Sequence, residues 1–248
     1  MNDAAGKRQE GPLARSGAGR LLGVLVAPGD TFRSLAARPT WAAPLLLLVL
    51  VAVVVGWMAT TRIDMAQLIR HQNEVSGGQL NAEQLDQRIA AVKKIAPYLA
   101  LFQGLIVAPA VYLLCALLCW VGFKMVGSEL SFKAAFATTL YGLLPLGVVE
   151  ALLAIPVLWN RASLTQDEAR NLSFLADNLA AAAPDGTGRV ALALLASVNL
   201  FSLWSIVLLV FGYGMVARVS RAAAATVVAI VWLLGVALKV ALVALAPG

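Results

Sequence analysis

With 248 residues, 60% of them hydrophobic and only 13% charged, the chain lies far outside the composition of soluble domains, where about a quarter of residues carry charge. The formal net charge of +6 is gathered beside apolar runs, where it orients a protein in a bilayer, and this distribution argues against nucleic acid as a partner. An all-α, polytopic membrane helical bundle follows, since a span needs roughly 20 apolar residues and the length accommodates about five or six.

Residues 1–27 read as a disordered cytoplasmic tail ending in a short apolar segment, Leu21–Ala27, and residues 28–248 as the membrane domain. The tail shows no periodicity, and the apolar segment is too short to span. A long polar leader and the Pro28–Gly29 break argue against a cleaved signal peptide. Asp30 can N-cap a short helix over Thr31–Ala37, with Phe32, Leu35 and Ala36 on one face and Arg33 and Arg38 flanking it. That pattern suits an in-plane helix at the cytoplasmic interface, or an amphipathic connector packed on the bundle.

Five spans are expected, at about 41–60, 98–123, 136–158, 190–216 and 222–245. Trp41 and Trp57 lie near the ends of the first, where indoles prefer the interface. Pro109 should kink the second, and Pro145 and Pro156 interrupt the third. Between the first two spans, Asn81 and Gln84 form a capping box before Leu85, Ile89 and Val92, and two short helices are expected outside the membrane. The single histidine, His71, sits there among polar neighbours and reads as a surface residue. Between spans three and four, Thr165 and Glu168 form a second capping box, opening a helix that carries Leu172, Leu175 and Leu179 and ends at Pro184-Asp-Gly.

With the N-terminus inside, the cytoplasmic segments hold ten basic and four acidic residues, and the outer segments hold eight of each. The topology is therefore N-terminus cytoplasmic and C-terminus extracytoplasmic. A repeat supports the count. Gly122-Phe-Lys-Met-Val126 precedes one short link and Gly212-Tyr-Gly-Met-Val216 the other, with Ser131 and Ser220 opening the next span. Spans 2–3 and 4–5 thus read as two similar hairpins, with span 1 added.

Nineteen residues after each serine stand Glu150 and Lys239, opposite charges on the order of 10 Å below the outer surface. With Gln103 and Asn199 they make a candidate intramembrane polar cluster, whose plainer explanation is an outward-reaching Lys239 and a neutral or singly bonded Glu150. No catalytic constellation, phosphate-cradling loop or metal-ligand set is present, so neither an enzyme nor a cofactor is expected. Cys115 and Cys119 share a helix face but offer only two ligands, and read as buried thiols.

Several stretches in order resemble the Yip family, the Ypt/Rab-interacting integral membrane proteins, in its bacterial form. They are Pro28-Gly-Asp-Thr-Phe-Arg-Ser-Leu35 followed by Arg38-Pro-Thr-Trp-Ala-Ala-Pro44, then Tyr141 with Pro145, then Asn199-Leu-Phe-Ser-Leu-Trp204 with Gly212. The resemblance covers about residues 25 to 245 and implies five spans and a cytoplasmic N-terminus. Binding of Rab-type GTPases, known for eukaryotic relatives, is not carried over, because the tail holds no evident partner motif. The resemblance implies a non-enzymatic accessory or scaffold protein, for an ABC-type exporter or for membrane traffic. The polar cluster leaves open the alternative of a small transporter or lipid-handling protein.

Overall fold

The computed structural model describes residues 17–62, 64–75, 77–160, 175, 177–184 and 186–245. The Thr165–Glu168 capping box, most of the 1–27 tail and the side chain of His71 lie outside the described residues. In chain order the helices are α1 (Gly17–Val26), α2 (Pro28–Ala37), α3 (Ala42–Arg62), α4 (Met65–Val75), α5 (Ala82–Phe102) and α6 (Ala108–Met125). They continue as α7 (Phe132–Gly142), α8 (Glu150–Asn160), α9 (Arg189–Leu195), α10 (Leu200–Val216) and α11 (Arg221–Leu245). Wide π turns, Gln103–Val107 and Pro145–Val149, join α5 to α6 and lead into α8.

The fold is all-helical among the described residues, and it is a membrane protein by the length and hydropathy of its helices. Ala42–Arg62, Ala82–Met125 and Arg221–Leu245 are each long and apolar enough to cross a membrane. A fourth crossing results if α7 and the Pro145–Asn160 helix, bent by 43°, count as one. The core sits around α7 and α10. Every α7 residue from Ala134 to Gly142 is buried, whereas α11 buries only Ala224, Val227 and Val228. Gly142 lets Leu209 of α10 lie directly on α7, where a Cβ would collide with it.

Four local outcomes differ from the periodicity reading. First, α2 begins at Pro28 rather than at Thr31. Proline at the first helical position needs no N–H partner and already has a helical φ, so it starts this helix instead of breaking the chain. Asp30 then falls in the first turn and pairs with Arg33 at 2.7 Å. Second, the polar helix before span two does not stop at the membrane. It is capped by Asn81 and Gln84 as expected, and then runs into the span as 44 continuous helical residues, roughly 66 Å long. Pro109 is absorbed at the head of α6, where the preceding π turn leaves room for its ring.

Third, the expected span 190–216 is broken at Ala196–Asn199. Asn199 has extended backbone and caps α10, accepting the Ser202 N–H at 2.6 Å while Ser202 Oγ accepts the Asn199 N–H at 3.2 Å. The break is filled by a second strand of chain: Leu200 N–H donates to Asp177 O at 3.2 Å and Leu179 N–H to Val198 O at 3.3 Å. Fourth, Leu179 lies in a short 3₁₀ turn, Leu179–Ala182, capped by Asn178, and not in an α-helix.

The ends of the helices that meet at the short basic links are built alike. Ser131 caps α7 through the Ala134 N–H, and Ser220 accepts the Ala223 N–H ahead of α11. α6 closes with Gly127 at φ 82, Ser128 N–H on Phe123 O and Gly127 N–H on Lys124 O, a Schellman end. Phe123 stacks on Tyr213 with centroids 4.5 Å apart. Ser128 Oγ donates to Ala217 O at 2.8 Å, tying the two links together.

Candidate functional site

A cavity of about 1060 Å³ opens between α6, α9, α10 and α11, with Leu143 and Leu146 at its back. That is at the upper end of the roughly 300–1,000 Å³ of small-molecule sites. Its inner part is apolar, walled by Leu118, Leu143, Leu146, Val228 and Trp232. On α11 the wall runs from Val228 to Val243, and Lys239 stands roughly 16 Å along it from Val228. Of its polar lining groups, Asn199 and Ser202 stand at the start of α10 and Lys239 toward the end of α11, with Gln103, Arg189 and Ser197 also in the lining and Ser205 a turn deeper.

The breaks in the helices shape this part of the lining. Gln103 is the first residue of the π turn before α6, and Gly104 beside it touches α3, where a Cβ would come within 2.9 Å of the Val53 backbone. The α9–α10 break turns the capped N-terminus of α10 toward the space, with Asn199 and Ser202 already paired to each other. Ser205, one turn deeper, accepts the N–H of Leu146 at 3.2 Å, so this backbone donor of the Pro145 turn is not orphaned.

Of the four residues of the expected polar cluster, Gln103, Asn199 and Lys239 line this one cavity. Glu150 does not line it. It opens α8 with its side chain 3% exposed, and the charges whose fields reach it are Asp177 and Lys239. No nitrogen–oxygen contact of 4.0 Å or less joins Glu150 to Lys239. Neither side chain makes a hydrogen bond among the described residues, and a buried Asp177 carboxylate oxygen nearby also lacks a partner. Lys239 is half-buried on the lipid-facing helix.

The amphipathic α2 turns its apolar face into the protein. Phe32 and Leu35 are fully buried, and Phe32 meets Phe211 edge-on at 6.4 Å between centroids. Gly212 makes room for the ring, since a Cβ there would lie 2.5 Å from it. Arg33 and Arg38 stay exposed, and the backbone carbonyl of Arg38 accepts from the buried Arg20 at 3.1 Å. The helix packs on the bundle through this face, chiefly against α10.

Arg189, Ser202 and Trp232 are cavity residues that sequence reasoning passed over. The Asn199–Ser202 spacing was a readable capping signal, but it sits inside an apolar run where hydropathy averages over it. Cys115 and Cys119, on one face of α6, both reach the cavity, and neither forms a disulfide. Among the described residues no group of three His, Cys, Asp or Glu side chains could hold a metal ion.

The model of the Yip1 domain matches residues 22–242. The chain belongs to the Yip1 domain family. The matched range runs from within α1 to near the end of α11, so the broken α9–α10 segment, α2 and all of the cavity lining except Val243 fall inside the Yip1 domain. No match was found among curated proteins or among solved structures.

Proposed function

We propose that the chain is a non-enzymatic, five-span protein of a bacterial inner membrane that handles a membrane lipid in the cavity ending at Lys239. The observation that carries this reading is the cavity itself: a large apolar space with a few polar groups in its lining has the polarity profile of an amphiphile. Exposed leucines on its rim, Leu114, Leu234, Leu238 and Leu242, face where lipid chains would lie, so entry would be sideways from the bilayer.

Five crossings require α10 to serve as the fourth. Its 17 residues form an apolar helix, and the α9–α10 break lengthens the segment, which supports that count. Matching serine caps on α7 and α11, and Phe123 stacked on its repeat-equivalent Tyr213, support two similar hairpins, α6–α7 and α10–α11, about a pseudo-two-fold axis. The N-terminus cytoplasmic, C-terminus outside orientation rests on the charge bias of the short links.

A second reading, an accessory subunit of an ABC-type exporter or of membrane traffic, draws on a different surface. The first half of α5 packs on α4 and exposes Glu83, Asp86, Arg88, Lys93 and Lys94, a charged arm suited to a protein partner. Purification of the full chain from native membranes, followed by native mass spectrometry, separates the two. A lipid that stays bound through delipidation supports the first reading. A lipid-free chain held in a stable complex with an ABC-type transporter would replace it with the second.

A further inference from the structure

We infer that the cavity takes an amphiphile with an anionic phosphate headgroup, the phosphate seated at Lys239; this rests on the lipid-handling reading and names its ligand class. Lys239 is a cation set in an apolar helix, and its ammonium has no ion pair or hydrogen bond among the described residues. An intramembrane lysine left without a contact partner is costly, so such a group faces water, pairs, or marks a ligand. Here it lines a space large enough for a ligand.

The surroundings favour phosphate over other head chemistries. A second cation, Arg189, also lines the cavity. Gln103, Ser197 and Ser202 offer further polar atoms there. Of the two acids whose charges lie near, Glu150 is walled off from the cavity and Asp177 is not among its lining residues. Among the described residues that line the cavity there is no carboxylate to repel a bound phosphate directly, or to pair with a choline or ammonium head. The rest of the wall, including Leu114, Leu118 and Trp232, is apolar and suits hydrocarbon chains.

Glu150 has a defined part in this arrangement. Its carboxylate is near enough to Lys239 for their charges to interact, but not to form a contact pair. It therefore competes through space with the incoming phosphate for the same ammonium. Removal of its charge should tighten binding of the anionic lipid rather than weaken it.

The test uses the full chain in detergent, delipidated and then titrated separately with phosphatidylglycerol, phosphatidylcholine and a polyprenyl phosphate, with bound lipid counted by native mass spectrometry. One of the two anionic lipids should bind at least tenfold tighter than phosphatidylcholine, and which of them does so distinguishes a diacyl from an isoprenoid source. Lys239→Gln should abolish the preference, Lys239→Arg should restore it, and Glu150→Gln should strengthen it. Gly235→Phe guards against a variant that merely misfolds: Gly235 lines the cavity, and a Cβ built there meets nothing within 4 Å, so a side chain can be added at that point of the wall. It should block lipid while the protein remains monodisperse. Equal binding of phosphatidylcholine would overturn the phosphate assignment while leaving lipid handling intact. Anionic preference that survives both Lys239→Gln and Gly235→Phe would put the site elsewhere and also overturn it. Absence of any bound lipid would remove both readings.

Discussion

Tyr213 and Lys239 are both polar groups carried into an apolar bundle, and the structure treats them in opposite ways. The Tyr213 hydroxyl is fully buried where α7 and α10 meet. It bonds Thr139 Oγ1 at 2.7 Å and donates to Ala135 O at 3.0 Å, and its ring stacks on Phe123. The Tyr213 hydroxyl is thus satisfied on both sides. Lys239, at the far end of the α10–α11 pair, has no such partner and borders a cavity of about 1060 Å³. A satisfied buried polar group adds stability and specifies packing, whereas an unsatisfied one beside a void costs stability and points to something that is not part of the chain. The first region holds the bundle together; the second is where it meets a ligand.

The largest effect expected lies in the packed region. Gly212→Val would drive a side chain into the buried Phe32 ring and push α2 off α10, lowering stability by about 3 kcal/mol. Reversible unfolding in mixed micelles would read this as a large drop in midpoint, and an unchanged midpoint would mean that α2 is only loosely seated. Next, Tyr213→Phe deletes one donor and leaves Thr139 and the Ala135 carbonyl short of a partner, at a cost of about 2 kcal/mol by the same measurement.

Lys239→Met sharpens the contrast because its sign should be opposite. In lipid-free protein it removes an uncompensated charge, so stability should hold or rise by up to about 2 kcal/mol. A loss as large as that of Tyr213→Phe would show that Lys239 is a structural group after all. The smallest effect belongs to the turn after α10, where Arg218 holds φ at 55°, a left-handed conformation costly for a side chain. Arg218→Gly should raise the unfolding midpoint slightly, by about 1 kcal/mol, while weakening the charge bias that orients the link.

Much of the architecture was legible before any coordinates. The spans at α3, α6 and α11 declare themselves because a bilayer core demands length and hydropathy, and both are local properties. The caps at Asn81, Ser131 and Ser220 follow from short side chains reaching N–H groups a few residues away. The break before α10 was harder to see. Its signal, Asn199 with Ser202, is local, but the reason the break survives is not: its backbone is satisfied by residues 177–179, reached only through the intervening loop. The polar cluster was legible as a set of depths, and three of its four members do share one cavity. The fourth, Glu150, sits behind the wall because the π turn at Pro145 decides which way the start of α8 faces, and depth alone carries no azimuth.

By itself, then, the sequence determined that this is a helical membrane protein with basic links, serine caps ahead of two of its helices and two opposite charges set within apolar runs. Those features depend on composition and on contacts within a turn or two of helix. Only the tertiary structure decided that the amphipathic α2 faces α10 instead of lipid, that Tyr213 is closed off, and that Lys239 opens onto a cavity. In an apolar run almost every side chain is compatible with either lipid or protein, so hydropathy cannot choose between them. Glycine positions, π turns and the pairing of distant backbone make that choice through close packing, which exists only once the helices have met.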